Sequence, residues 1–270
     1  MDELLFSSDG VIIYVSILIL KGCVSVRDYR KETEERVNYI KKLIEESHAS
    51  GIVFGNSGGK DCALVGILCK MACDNTVCIQ MPCHSKQNFG SDMDDALAVA
   101  KKFNISHRTF DLTPVREAML NMMGDEVELN SQALVNLPPR LRMTTLYTVA
   151  AAENRLVAGT GNRSERYMGY FTKHGDGACD FNPISDLTVT EVYEFLRHLD
   201  APASVIEKAP SAGLYEGQTD EKDMGVTYAE IDEYIISGTG KPESIEIINR
   251  YHSRSAHKRR PTNMFMEINE

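Results

Sequence analysis

Two glycine-rich stretches carry the residues whose types and spacing could do chemistry. The first reads Gly51-Ile52-Val53-Phe54-Gly55-Asn56-Ser57-Gly58-Gly59-Lys60-Asp61-Cys62, and the second Gly159-Thr160-Gly161-Asn162-Arg163-Ser164-Glu165. In the first, an apolar run turns through Gly and Asn, and Leu64, Ile67, Leu68 and Met71 follow at helical spacing. This predicts a buried strand, a tight turn and a helix beginning near Asp61. Such a turn aims backbone N–H groups and the positive end of a helix at one point, which suits a phosphate. Glycine is needed there because the chain must reach φ > 0 and let phosphate oxygens come close. The stretch fits neither the Walker loop, since Asp61 stands where a hydroxyl residue is required, nor the dinucleotide GxGxxG pattern. Each stretch also carries an acid, Asp61 and Glu165. Mg2+ is usually held by one or two carboxylates plus phosphate oxygens, so this pair is a candidate metal site. The plainer alternative for each acid is a helix-N-terminal carboxylate stabilised by the dipole.

The elements that must position these residues follow from periodicity. Tyr29 to Ser47 reads as a helix with Val37, Ile40, Leu43 and Ile44 on its apolar face. Thr76 to Met81 is a second strand ended by Pro82, and the loop Met81 to Ser85 just past it is a candidate adenine-side wall. A helix over Asp94–Phe103 and a strand over Ile105–Leu112 come next. A helix over Pro114–Met123 is stopped by Gly124. A long helix over Asn136–Ala152 is entered through Pro138-Pro139, where proline is tolerated in a first turn. Arg155 to Thr160 is a fourth strand. Strands and helices alternate throughout, which predicts an α/β fold: a Rossmann-like, doubly wound parallel sheet flanked by helices, in a single domain.

Composition narrows the class. The chain has 270 residues, 43% hydrophobic and 25% charged, ordinary for a globular protein. A net charge of −10 argues against nucleic acid as the partner, because binding gains from counterion release need a basic face. Seven cysteines are scattered without a CxxC pair, and Cys62, Cys69, Cys73, Cys78 and Cys83 read as small core residues of a reducing compartment, hence the cytoplasm. Residues 1–25 differ from the rest and are an extension of uncertain role. The apolar run Val11–Leu20 is too short for a membrane span of about 20 residues. Its acidic flank is wrong for a signal peptide. Residues 26–270 then form the working domain.

Ser57-Gly58-Gly59-Lys60-Asp61 resembles the SGGxD(S) loop of the ATP pyrophosphatases, with Cys62 where serine is commonest. More motifs occur in order: GTGNRSE, GYFTKHGDG, Asp180, Ala209-Pro210-Ser211-Ala212, Gly217-Gln218-Thr219-Asp220-Glu221 and His257-Lys258-Arg259-Arg260-Pro261. Over residues 29 to 265 the chain is similar to the ammonia-dependent NAD synthetases. That resemblance implies adenylation of deamido-NAD by ATP, followed by displacement of AMP by free ammonia. It implies that Gly55, Asn56, Ser57, Gly58, Gly59, Lys60, Asp61, Cys62, Thr160 and Ser211 bind ATP, and that Asp61 and Glu165 hold Mg2+. Arg140, Lys173, Asp180, His257 and Lys258 would bind deamido-NAD. Lys173 would also serve the reaction, and Asp176 is the expected acceptor of the proton from ammonia. The family implies a homodimer.

One departure stands out. Val189 occupies a position where the family usually places a lysine facing the ATP phosphates, and Lys60 is the cation expected to compensate. Two other readings remain open. The chain could be another ATP pyrophosphatase that amidates or thiolates a different acceptor. It could also be a nucleotide-binding protein of the same fold with little or no catalysis, for which Val189 is the best supporting feature.

Overall fold

Strand β1 (Gly51–Gly55) sits inside a sheet whose four strands are all parallel. β2 (Thr76–Gln80) pairs on one side of it and β4 (Arg155–Val157) on the other. β3 (Ser106–Thr109) lies beyond β2, giving the order β3-β2-β1-β4. The computed structural model describes residues 27–84, 90–208 and 220–262. The extension 1–25, Ser85 and the Ala209–Thr219 segment with Ser211 lie outside the described residues.

Alternation along β1 builds a core on both faces. Ile52 and Phe54 point to one side and Val53 to the other, as a period of two requires. On the first side pack α1 (Tyr29–Ser47) and α2 (Lys60–Ala72), with α3 (Ser91–Lys102) beside them. Asp28 caps α1 by accepting from the N–H groups of Arg30 and Lys31. Its predicted face is the buried one, through Val37 and Ile40 with Leu43 and Ile44 packed alongside. Gly66 lets α2 lie directly on the sheet, since a Cβ there would meet the Phe54 ring at 2.5 Å. On the second side, α5 (Ser131–Glu153) covers Val53, Val77, Ile79 and Val157 through Leu141, Leu146 and Ala150. Between β3 and α5 runs α4 (Thr113–Met123).

Several element boundaries differ from expectation. α5 begins at Ser131 because Asn130 caps it, accepting from the Ala133 N–H, so Pro138 and Pro139 lie inside the helix rather than in its first turn. Each proline lacks a donor, which leaves the carbonyls of Leu134 and Val135 without their helical partners. α3 starts at Ser91 instead of Asp94, β3 runs only from Ser106 to Thr109, and β4 ends at Val157 rather than Thr160.

A third apolar cluster joins the remaining helices: α6 (Arg163–Met168), α7 (Val189–His198), α9 (Asp220–Met224), α10 (Tyr228–Ser237) and α11 (Pro242–Arg254). Short α8 (Ala203–Ile206), α12 (Ala256–Arg259) and a 3-10 turn over Gly124–Glu126 complete the described elements. Among the described residues no helix is long and apolar enough to cross a membrane. Cys62, Cys69, Cys78 and Cys83 are buried free thiols of the core, as the sequence predicts, while Cys73 is only half-buried at its edge.

Candidate active site

Because β1 and β4 are hydrogen-bonded neighbours, the turns that follow them open at the same carboxyl edge of the sheet. A cleft of about 800 Å³ lies there, lined by both glycine turns. This is the crevice where parallel sheets place their ligands.

The first turn is built tightly. Gly58 has φ +77°, and a Cβ on it would meet the Asp92 carbonyl oxygen at 2.2 Å, so both conformation and space demand glycine. Asn56, buried beneath the turn, donates to the Ala96 carbonyl and accepts from the Gly58 N–H at 3.1 Å. The Ser57 hydroxyl accepts from the Gly59 N–H at 3.4 Å and lies 3.3 Å from the Cys62 thiol. No side chain caps the first turn of α2, which leaves the positive end of a 13-residue helix facing the cleft. Burial pushes the Cys62 thiol up, so it sits here as a small neutral side chain.

The second turn holds the second acid. Asn162 starts α6 with a capping box: its side chain accepts from the Glu165 N–H, and its own N–H donates to Glu165 Oε2 at 3.2 Å. The Asn162 amide also donates to Asp61 Oδ1 at 3.1 Å, which ties the two turns together. Lys60 Nζ donates to Asp61 Oδ2 at 2.7 Å and lies 5.8 and 5.7 Å from the ring centres of Tyr193 and Tyr228. Burial, then the neighbouring Asp61 carboxylate, push Glu165 up to about 8, partly offset by Lys60. Burial works against the charge of Lys60, but Asp61 and Glu165 outweigh it and hold the ammonium above the usual lysine range.

Asp176 lines the cleft and accepts from the Thr172 N–H at 2.9 Å. Its residue surface opens to solvent through the cleft, while the protein packed around the carboxyl desolvates it and pushes its pKa up. The C-terminal His257 and Lys258 also reach the cleft of their own chain. Lys258 Nζ donates to the carbonyls of Gly169 (2.8 Å) and Phe171 (2.6 Å), and burial lowers its pKa.

The structure thus brings Gly55, Asn56, Ser57, Gly59, Lys60, Asp61, Cys62, Thr160, Glu165, Asp176, His257 and Lys258 to one cleft, with Gly58 bracing the turn. Arg140, Lys173 and Asp180 are not in its lining. Asp180 accepts from the Val157 N–H (2.7 Å) and the Tyr147 hydroxyl (3.2 Å), clasping the end of β4. Val189 is buried in the third apolar cluster, with its N–H donated to the Ser164 hydroxyl.

Arg142, Lys208 and Tyr193 line the cleft and were not singled out by sequence. For Arg142 a signal existed. Gln132, Val135, Pro139, Arg142 and Leu146 recur at helical spacing on the face of α5 toward the cleft, and Arg140 is off that face. Lys208 pairs with Asp92 (2.8 Å) and Asp95 (2.7 Å) on α3, a pairing that spacing alone does not reveal.

A family model described as NAD synthase matches residues 32–267. The chain belongs to the NAD synthase family. Among curated relatives in this family, the NH3-dependent NAD+ synthetase of Carboxydothermus hydrogenoformans is 44% identical over 236 residues, covering 86% of this chain and 96% of that protein. A solved NMN synthetase from Francisella tularensis superposes with a TM-score of 0.83 at 37% identity, covering 91% of this chain and all of that one. An NH3-dependent NAD synthetase from Campylobacter jejuni gives 0.74 at 28% identity, covering 89% of this chain and all of that one. NAD synthase membership makes the chain a ligase that forms a carbon–nitrogen bond, with ATP as co-substrate.

Proposed function

We propose that the protein amidates deamido-NAD with free ammonia, giving NAD, AMP and pyrophosphate. The observation that carries this reading is the meeting of both glycine turns and their carboxylates, Asp61 and Glu165, in one cleft that also holds Asp176 and Lys258.

In the first step a carboxylate oxygen of the nicotinate ring attacks the α-phosphorus of ATP. The bond from that phosphorus to the bridging oxygen breaks, and pyrophosphate leaves with the electron pair. The Ser57–Gly59 turn and the uncapped end of α2 hold the leaving pyrophosphate in line, with Thr160 on the second turn beside it. In the second step ammonia attacks the carbonyl carbon and AMP leaves. The nitrogen then sheds a proton, and Asp176 receives it, its carboxyl made more basic by the protein packed around it. Ser211 completes the proposed contacts to ATP, and Arg140, Lys173 and Asp180, which lie outside the cleft lining, would meet deamido-NAD only where it extends beyond that lining.

Two carboxylates beside a phosphate turn are a donor set suited to Mg2+, which takes its other oxygens from phosphate and water. Among the described residues no group of three or more His, Cys, Asp or Glu side chains forms a metal site, which fits an ion shared with the nucleotide. Asp61 and Glu165 would hold it, and when bound it supplies neutralisation of phosphate charge.

A homodimer is proposed through α4. This helix buries none of its residues, and Val115 and Met122, two turns apart on it, are exposed apolar side chains that solvent disfavours. Free, buried thiols suit a reducing cytoplasm.

A second reading concerns the acceptor. The likeness to the Francisella tularensis NMN synthetase favours a mononucleotide, nicotinate mononucleotide, in place of the dinucleotide. Product analysis with ammonium chloride and Mg·ATP separates the two. NAD and AMP in equal amounts from deamido-NAD support the first reading, and preferential turnover of nicotinate mononucleotide supports the second. ATP binding without AMP from either acceptor overturns both.

A further inference from the structure

We propose that the Lys60 ammonium is the resident counter-ion of the carboxylate pair, and that it must leave Asp61 before a divalent cation can bind there. The inference rests on the reading of Asp61 and Glu165 as the metal carboxylates. Residues adjacent on a helix normally point about 100° apart and do not meet. Here Lys60 curls back onto Asp61, and both are withdrawn from solvent, with Lys60 6% and the Asp61 side chain 13% exposed.

Two further observations fix the ammonium in that place. The Tyr193 and Tyr228 rings lie within cation–π range of it. Both Asp61 oxygens already accept a hydrogen bond, Oδ2 from Lys60 and Oδ1 from the Asn162 amide. A cation arriving alone meets the repulsion of a buried ammonium at close range, and must displace it to take Oδ2 fully. A cation arriving with nucleotide brings phosphates that offer the displaced ammonium a new partner in the same cleft. Lys60 is thus a positioning residue that makes metal binding depend on the nucleotide.

The test is Mn2+ binding, read as loss of the free-ion electron paramagnetic resonance signal, with purified full-length protein and no nucleotide. Lys60→Met removes the charge and keeps the apolar stem. Lys60→Gln gives a second neutral variant should Met impair folding, and Lys60→Arg keeps the charge. The neutral variants are expected to bind free Mn2+ at least tenfold more tightly than the parent, while Lys60→Arg stays weak. Neutral variants that bind no better than the parent overturn the proposal. Adding Asp61→Asn to the neutral variant should abolish the gain. Tight binding that survives Asp61→Asn would mean that the ion sits elsewhere, which overturns the assignment of Asp61 as a metal carboxylate. An unchanged neutral variant, with Mn2+·ATP binding still lost in Asp61→Asn, overturns the role of Lys60 alone.

Discussion

Asn162 and Asp61 lie 101 residues apart in sequence and share a hydrogen bond, Asn162 Nδ2 donating to Asp61 Oδ1 at 3.1 Å. The same side chain caps α6 and so orients Glu165. One buried amide therefore sets the position of both candidate metal carboxylates. Asn162→Ser keeps a capping oxygen but cannot donate to Asp61, whereas Asn162→Ala loses both functions. Thermal or urea unfolding should show Asn162→Ala less stable by about 1 kcal/mol, the usual worth of an N-cap, and Asn162→Ser nearly unchanged. Both should weaken Mn2+·ATP binding. A Ser variant with parental Mn2+·ATP affinity would remove the bridge from the site.

Asp61→Asn and Glu165→Gln each take one candidate metal-binding carboxyl from the place where phosphate charge must be neutralised. Loss of one preorganised electrostatic group in such a site commonly costs about 10²-fold or more in rate. Both variants are expected to lose at least that factor in AMP formation, and added Mg2+ should recover part of it. Rates within threefold of the parent would show that these acids are only helix-terminal residues.

The first glycine turn could be read without a structure because its information is local. Glycines, an acid and a flanking apolar run lie within a dozen residues, and the fold delivers them as a strand, turn and helix. The parallel sheet was equally legible from alternating elements, since β1 shows its two faces residue by residue. What escaped was non-local. That Asn162 touches Asp61 follows only once β1 and β4 are known to be neighbours. Lys208 meets α3 across more than a hundred residues. α5 shows a different failure. Its prolines pointed to a first turn at Asn136–Pro139, yet the Asn130 cap and the packing of a long helix on the sheet outweigh two missing backbone donors. A helix start placed too late also hid the face on which Arg142, rather than Arg140, looks into the cleft.

The apolar surface on α4 gives a prediction for assembly. Met122 is 74% exposed, and Val115 lies on the same helix. Charges at both positions, as Val115→Glu with Met122→Glu, should be neutral in an isolated chain, because neither side chain is packed. In a dimer that buries this face they would be forced from water without partners, costing several kcal/mol. Light scattering after gel filtration should therefore find a parental dimer and a monomeric double variant. A monomeric parent, or a double variant that stays dimeric, would move the interface elsewhere.

Glu153 at the end of α5 supplies a pH-dependent contribution to stability. It accepts from Arg108 Nη2 at 3.2 Å and from Arg155 Nε at 2.7 Å, which joins α5 to β3 and β4. Those hydrogen bonds, with Arg108 the stronger influence, hold its carboxyl near 2, against about 4.3 in an unfolded chain. A carboxyl depressed on folding stabilises the native state above the unfolded value, and that contribution is lost as pH falls toward 2. The side chain is 31% exposed, so solvent screening limits the effect to about 1 kcal/mol or less. Glu153→Gln should therefore unfold at lower urea than the parent at pH 7, and the gap should close progressively between about pH 4.5 and pH 2. A gap that stays constant over that range would mean that packing at the end of α5, and not the two ion pairs, accounts for the difference.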